Sequence, residues 1–357
     1  MGVDGYYMDM RRTSKRKKMM TCNRAVAVLL TAVLILGVLS LCGCSGRSFG
    51  EAALRIVCTN FVGYDFARAI LGGAGYDLTG GGKTTVGNAT GDTSVEIILL
   101  SKQGQDLHGF EPSAADIAQI ATADLFIYVG GESEKWVKSA LAAADNPDLV
   151  TVCMMESSET LLKEEEHGDR EESEHGTEVE YDEHVWTSIG NAYMIVNDID
   201  AALMKIIEEK ELAFDWEVIR KSTIRYMSEL STWDDMYKNL RTDAARSTVV
   251  IADRYPFAYL MRDMGLTCYA AFPGCSSETQ ASFSTQVMLV EKVKEYGIPF
   301  IFTVDNSAGS VAETVAGQTG AGILRLWSGQ IIPGEGDPQT YLEMLEANYN
   351  NLKMALN

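Results

Sequence analysis

Two histidines in similar surroundings are the residues of this chain best suited to bind a metal ion. His108 lies within the segment GQDLHGFEPS, residues 104–113, and His184 lies within YDEHVW, residues 181–186. Imidazole is the usual nitrogen ligand of borderline divalent metals, and the chain has only four histidines. Either histidine alone would more often be a capping or surface residue, but the two contexts together favour a metal site.

The other two histidines, His167 and His175, lie in a strongly acidic segment. Residues 163–184 hold eleven acidic and two basic side chains together with three of the four histidines. Such a run cannot form an apolar core, so we predict a flexible loop over 157–183. His167 and His175 are then either solvated loop residues or auxiliary groups that raise the local metal concentration.

The amino terminus has the layout of a bacterial secretory signal. A region with seven Lys and Arg residues precedes an apolar run, residues 25–41, and the segment LCGC. LCGC resembles the lipobox before a lipid-modified cysteine, and Gly43 makes Cys44 a better acceptor than Cys42. We predict a signal peptide over 1–43, a tether over 44–53 and an extracytoplasmic lipoprotein anchored to the bacterial cell membrane through Cys44. The alternative is an uncleaved membrane anchor.

Net charge argues against one class of partner. The formal charge is −20 at pH 7, and because residues 1–43 carry seven basic and two acidic side chains, their removal brings it to −25. An acidic surface repels nucleic acid and anionic headgroups and favours cations. The sequence has no basic patch with interleaved aromatic residues, so nucleic-acid binding is not expected.

Four cysteines beyond Cys44 fall into two groups. Cys58 and Cys153 lie in apolar, strand-like runs, which predicts buried side chains. Cys268 and Cys275 flank a short loop and, in an oxidising compartment, either form a disulfide or remain thiols.

Strand-like and helical segments alternate after residue 54, which predicts an α/β fold with parallel sheets. The first lobe covers 54–212, and Ser113 is a candidate N-cap for the helix that follows His108. Residues 72–92 are rich in Gly and Thr, so we predict a second flexible loop there.

A long uninterrupted helical pattern separates this lobe from a second one. Apolar residues recur at spacings of three, four or seven between 215 and 245 without Gly or Pro, which predicts a connecting helix over 213–246. The alternation of strands and helices resumes over 247–357. Two parallel-sheet α/β lobes joined by a long backbone helix suggest that a metal ion is held in the cleft between them.

The two histidine segments and their order resemble the metal-binding lipoproteins of ATP-binding-cassette importers, the zinc and manganese substrate-binding family. GQDLHGFEPS is similar to the family pattern Gly-x-Asp-Pro-His-x-Tyr-Glu-Pro-Thr, and residues 182–192 are similar to Asp-Pro-His-Val-Trp-Leu-Ser-Pro-x-Asn-Ala. Residues 123–136 match the strand and helix between these motifs. The acidic segment before His184 occupies the place of a charged loop found in zinc-type members.

This resemblance implies that His108 and His184 are the first-lobe ligands, whereas the second lobe departs from the family. Arg254 stands where the family has a His or Glu, and a guanidinium cannot coordinate a metal. The family's last ligand, an Asp, falls near Trp327 and Ser328, and neither side chain is a credible replacement.

Three acids at predicted strand ends or in the following loops are candidates for the missing ligands. All three, Asp253, Glu278 and Asp305, lie where α/β lobes present ligands, and we rank Asp253 and Glu278 above Asp305. Asp253 is equally suited to pair with Arg254 or cap a helix, and Glu278 to cap a turn. Two imidazoles with one or two carboxylates suit Zn²⁺ best, with Mn²⁺ as the alternative.

We therefore expect a monomeric solute-binding protein, not an enzyme, that captures zinc and delivers it to a membrane permease and its ATPase. One alternative is a surface adhesin or sensor of the same fold with weakened metal binding, which the departures at Arg254 and Trp327 favour. A zinc-dependent hydrolase is the other, but the sequence has neither His-Glu-x-x-His nor Gly-x-Ser-x-Gly.

Overall fold

The first lobe is organised around a sheet with strand order β2-β3-β1-β4-β5. The computed structural model describes residues 52–72, 83–87, 94–102, 105, 107–164, 180–214, 216–274 and 281–357. The strands of this sheet are β1 (Leu54–Cys58), β2 (Lys83–Gly87), β3 (Ser94–Leu99), β4 (Leu125–Tyr128) and β5 (Val150–Cys153). Strands β3, β1, β4 and β5 pair in parallel, as the sequence predicts. The predictions for Cys44, His167, His175, Cys275 and Glu278 fall on residues outside the described ranges.

Strand β2 corrects the prediction of a loop over 72–92. It pairs antiparallel with β3, with Val86 opposite Val95 and Thr84 opposite Ile97, so this sheet is mixed at one edge. The segment contains two Thr and a Val, which favour strands, and β3 offers it an otherwise open edge of backbone hydrogen-bonding groups. Its few apolar residues led to the loop prediction.

Four helices in the described part of the first lobe follow or precede these strands. They are α1 (Phe61–Ile70), α2 (Ala114–Ala121), α3 (Trp136–Ala144) and α4 (Ile189–Glu209). Ser113 caps α2 as predicted, because its hydroxyl accepts a hydrogen bond from the backbone N–H of Asp116 and the Asp116 carboxylate binds back to the Ser113 backbone. Ser188 caps α4 by accepting from the Asn191 N–H. These caps fix where the chain leaves the two histidine segments.

The second lobe has a parallel sheet with order β7-β6-β8-β9. Its strands are β6 (Thr248–Tyr255), β7 (Thr267–Pro273), β8 (Phe300–Val304) and β9 (Gly322–Leu326), and its helices are α6 (Ala258–Met264), α7 (Phe283–Tyr296), α8 (Ser310–Thr319) and α9 (Tyr341–Leu356). The register of β6 against β7 shifts between Ile251 and Arg254. This irregularity lies at the strand end that carries Asp253 and Arg254.

Helix α5 (Trp216–Asp243) runs along both lobes. Its 28 residues extend about 42 Å, and its buried side chains face α1 and α4 of the first lobe and α6 and α9 of the second. The buried apolar residues are Ile219, Tyr226, Leu230, Tyr237 and Leu240, and Thr223 is buried with them. No helix in the described part of the chain is long and apolar enough to cross a bilayer.

Buried hydrogen bonds between the lobes hold the segment that carries His184. The indole Nε1 of Trp186 donates to the Ser328 carbonyl at 2.8 Å, and the Tyr341 hydroxyl donates to the Trp186 carbonyl at 2.6 Å. The backbone N–H of Tyr341 in turn donates to the Asp65 carboxylate at 2.9 Å. All of these residues are almost fully buried, so the His184 segment is fixed from both lobes.

Helix α5 provides a test of how the lobes are stabilised. Replacing the fully buried Leu230 by Ala should lower the free energy of unfolding by about 2–5 kcal/mol, because it leaves a cavity between the helix and the lobes. Ile224→Ala on the same helix, at a side chain that is 55% exposed, should change it by less than about 0.5 kcal/mol. Urea unfolding followed by circular dichroism measures both, and equal effects would contradict the packing described.

Candidate metal site

The structure brings His108 and His184 together with their Nε2 atoms 3.3 Å apart. His108 lies in the 3₁₀ turn Leu107–Gly109 that follows β3, and His184 immediately precedes the turn Val185–Thr187. The His184 side chain is fully buried, and that of His108 is 12% exposed. Two nitrogen ligands of a tetrahedral zinc ion lie about 3.3 Å apart, so this separation suits a shared metal.

Hydrogen bonds on the opposite edge of each ring set the direction of these Nε2 atoms. Nδ1 of His184 lies 2.9 Å from Oδ1 of Asp182, which also accepts the backbone N–H of His184 at 2.7 Å. Nδ1 of His108 lies 2.5 Å from the Ser133 hydroxyl oxygen. When Nδ1 carries the ring proton and donates it, the Nε2 lone pair is available to a metal.

The side chain of Gln330, from the second lobe, reaches the Nε2 atoms of both histidines. Its amide nitrogen lies 3.0 Å from Nε2 of His108 and 2.5 Å from Nε2 of His184, so its two hydrogens can be donated to the two rings. A 180° rotation of the amide exchanges nitrogen for oxygen, and an amide oxygen can coordinate a cation. Within the described ranges no cluster of three or more His, Cys, Asp or Glu side chains is placed to hold a metal, because the third converging group is an amide.

Gln330 was not predicted from the sequence, because the resemblance placed the family's last ligand near Trp327 and Ser328. Strand β9 ends at Leu326, and Gly329 then adopts a left-handed conformation with φ of 74°, which turns the chain so that Gln330 reaches the imidazoles. The Ser328 hydroxyl accepts the Gln330 backbone N–H and donates to the Gln330 amide oxygen. The sequence feature that could have indicated Gln330 is the Gly-Gln pair that follows strand β9.

Asp253 is not brought to the imidazoles, which corrects its prediction as a ligand. One of its carboxylate oxygens accepts the Arg254 backbone N–H at 2.9 Å and the other accepts that of Val304 at 3.4 Å. The β6 irregularity thus directs this side chain towards β8. Its hydrogen bonds join neighbouring strands of the second lobe and leave the histidine pair to other groups.

Asp305 supports the site indirectly, through the turn that carries Gln330. It is 3% exposed, and its Oδ1 accepts the backbone N–H of Ser328 at 2.7 Å, in the turn that carries Gln330. Burial raises the pKa of Asp305, against hydrogen bonds from Ser328 and the charge of Arg254, which lower it. Asp305 therefore positions the Gln330 turn.

The segment that carries Glu278 begins at the site. Gly274 is the last described residue before 275–280, and a Cβ added there would lie 3.0 Å from Cε1 of His184 and 2.8 Å from the Tyr255 carbonyl oxygen. Only glycine fits this close approach without displacement. Gly274 therefore contacts His184, a candidate ligand, and Glu278 follows Gly274 by four residues in the sequence.

Buried acidic side chains give the surroundings of His108 and His184 a negative electrostatic potential. Burial raises the pKa of Glu183, and raises that of Glu134 to about 7 although the backbone N–H groups of Val129 and Gly130 bind its carboxylate. The pKa of His184 is raised, because the charges of Asp182 and Glu183 outweigh the burial that would lower it. An environment of this kind stabilises cationic species.

Two α/β lobes, a long helix between them and polar side chains that converge from both lobes are the architecture of the substrate-binding proteins of ATP-binding-cassette importers. The family model for ZnuA, the periplasmic zinc-uptake complex component A, matches residues 56–355. The chain belongs to this family, which confirms the resemblance predicted from the two histidine segments.

Two relatives show the extent of the similarity. The chain is 28% identical over 320 residues to the zinc-binding lipoprotein AdcA of Streptococcus pneumoniae, covering 88% of this chain and 58% of that protein. It is 26% identical over 264 residues to the high-affinity zinc uptake system protein ZnuA of Bacillus subtilis, covering 73% and 81% of the two chains. The chain thus spans little more than half the length of AdcA. Both relatives are named as zinc-binding or zinc-uptake proteins and neither as an enzyme.

Solved structures agree on the fold. Zn(II)-bound AdcA from Streptococcus pneumoniae superimposes with a TM-score of 0.63 at 25% identity, covering 85% of this chain and 57% of that chain. The laminin-binding adhesin Lmb of Streptococcus agalactiae gives a TM-score of 0.65 at 23% identity, covering 85% of this chain and all of its own, and this likeness concerns the fold alone.

The Asp182–His184 pair predicts a pH dependence. Protons compete with a metal for His184, and because the pKa of His184 is raised, zinc affinity should begin to fall with decreasing pH above the ordinary imidazole value of about 6.5. Asp182→Asn should move this onset to lower pH and reduce the affinity at pH 8 by about tenfold or more. Competition with a chelating dye from pH 5 to 8 measures both. Asp148→Asn at an exposed site is the control, and an unchanged onset in Asp182→Asn would refute the assignment.

Proposed function

We propose that this protein captures a zinc ion with His108 and His184 of the first lobe and Gln330 of the second, and delivers it to a membrane permease driven by an ATPase. The observation that carries this proposal is the convergence of the three side chains: the imidazole Nε2 atoms lie 3.3 Å apart, and the Gln330 amide, whose oxygen can coordinate after a 180° rotation, has its nitrogen 3.0 and 2.5 Å from them. Gln330 replaces Asp253 in the ligand set, because the Asp253 carboxylate is engaged by backbone N–H groups. Glu278 remains a proposed fourth ligand.

Zinc is favoured over manganese by the types of donor. Two imidazoles and one or two oxygen donors suit four-coordinate Zn²⁺, whereas Mn²⁺ prefers sites rich in carboxylate and water oxygen. Membership of a zinc-uptake family supports the same choice. Binding requires no chemistry beyond coordination, and release requires Gln330 to separate from the two imidazoles.

The proposed location is extracytoplasmic, with the chain attached to the cell membrane through a lipid on Cys44. The LCGC segment and the name of the lipoprotein relative support this placement. We further propose that His167 and His175 capture cations weakly in the acidic segment and that the protein acts as a monomer. The permease and its ATPase are proposed as partners because the family is that of an uptake complex.

Substitution of the three converging residues tests the proposal. His108→Ala and His184→Ala should each weaken zinc binding by at least about 100-fold, and Gln330→Ala by about tenfold, because each removes one donor to the ion. Calorimetric titration of the protein stripped with a chelator provides the measurement. Gln339→Ala, at a partly buried amide that binds Gly334 and Asp337 carbonyls, should leave the affinity unchanged.

Absence of zinc binding by the wild-type protein would overturn the proposal and favour an adhesin or sensor of the same fold. Zinc-dependent hydrolysis of simple esters by the loaded protein would favour a hydrolase instead. The first result is not expected, because both histidines direct their Nε2 atoms towards Gln330. The second is not expected, because the sequence has neither His-Glu-x-x-His nor Gly-x-Ser-x-Gly.

A separate experiment tests Glu278. If its carboxylate occupies the fourth position, Glu278→Gln should reduce zinc affinity by about tenfold or more while leaving the unfolding midpoint of the metal-free protein unchanged. Glu313→Gln, at an exposed acid on α8, controls for the loss of one negative charge from the second lobe. Equal affinities of the two variants would remove Glu278 from the ligand set.

A further inference from the structure

Glu183 is a buried acid next to the histidine pair that the proposed ligand set does not use. Its side chain is 1% exposed, its Oε1 accepts the Ser133 backbone N–H at 2.7 Å, and its Oε2 lies 3.6 Å from Nδ1 of His108. That Oε2 has no hydrogen-bond partner among the described residues. A carboxylate oxygen buried in this way is costly unless a cation or donor compensates it.

The backbone around Glu183 is shaped to admit this side chain. Gly131 has φ of 81°, and a Cβ added to it would lie 2.5 Å from Oε1 of Glu183. A larger residue at 131 would therefore clash with the carboxylate.

The proposed ligands leave a charge to be balanced. Two neutral imidazoles and one neutral amide leave the double charge of Zn²⁺ unreduced, and the proposed Glu278 carboxylate would offset only one unit of it. A buried cation needs anions close by, either as ligands or hydrogen-bonded to the ligands. Asp182 lies against His184, and Glu183 occupies the corresponding position beside His108.

We propose that Glu183 is a positioning residue for His108, which holds the ring proton on Nδ1 together with Ser133 and supplies negative charge that compensates the bound cation. This inference rests on the proposed zinc site and extends it. Ser133 links the two groups, because its hydroxyl oxygen lies 2.5 Å from Nδ1 of His108 and its backbone N–H binds Glu183. Glu183 therefore acts on the metal through a ligand, without coordinating it.

The variant Glu183→Gln separates charge from shape. Its amide oxygen keeps the hydrogen bond to the Ser133 N–H, but the negative charge beside His108 is lost. Zinc affinity, measured with Zn²⁺ and a competing chelating dye, should fall by about 10- to 100-fold. The unfolding midpoint of the chelator-stripped variant should stay equal to or rise above that of the wild type, because an incompletely satisfied buried charge is removed. A residue with only a structural role would instead lower this midpoint.

The neighbouring Glu132 offers a matched control. Its side chain is 48% exposed and forms an ion pair with Lys135. Glu132→Gln therefore removes an equal charge from the turn whose Ser133 N–H binds Glu183. Its zinc affinity should equal that of the wild type. If Glu132→Gln and Glu183→Gln weaken binding by the same factor, the effect is one of general charge and the inference fails.

A double substitution tests charge compensation directly. Gln330→Glu places an anion among the ligands, so Glu183→Gln should weaken zinc binding less in that background than in the wild type, by about tenfold or more. Purely additive effects would contradict compensation. Wild-type protein that binds no zinc would defeat the proposed function itself, whereas tight wild-type binding with unchanged binding by Glu183→Gln would defeat this inference alone.

Discussion

The site depends on holding two imidazole lone pairs towards one buried point. With Nε2 atoms 3.3 Å apart, the two rings repel each other unless a donor or a cation lies between them. The amide nitrogen of Gln330 supplies such a donor, and a metal ion supplies a stronger one. The hydrogen bonds to Asp182 and Ser133 on the far edges of the rings keep the protons off Nε2, and without them the pair would lose its direction.

The fold meets this constraint by anchoring each group at the end of a rigid element. His108 follows β3 and precedes the capped helix α2, while His184 lies before the capped helix α4. The Tyr259 hydroxyl of the second lobe donates to the Asp182 carbonyl and itself accepts the Leu162 N–H, so the acceptor of His184 is tied to both lobes. Small displacements of these supports would change the distance between the rings more than a substitution at the surface would.

The sequence was informative where a local pattern determines the structure. The periodicity between 215 and 245 predicts α5, and the strand–helix alternation predicts both sheets, because these features depend on residues near one another in the chain. Gln330 escaped prediction because its role depends on the φ of Gly329 and on packing across the cleft. Asp253 was selected for its place at a strand end, but a register shift in β6 redirects its carboxylate, and that shift leaves no signal in residue types.

The placement of charge has a consequence for how a bound ion leaves. Among the described residues, the acids that contact the imidazoles, Asp182 and Glu183, belong to the first lobe, whereas Gln330 of the second lobe is neutral. Breaking the contact at Gln330 therefore separates a cation from a dipole, which costs less than separating two opposite charges. A Glu278 ligand would have to be released as well, and the ion would then stay with Asp182 and Glu183 on the first lobe during the first movement. Release then requires a second event at the histidines, such as protonation or competition from ligands of the permease.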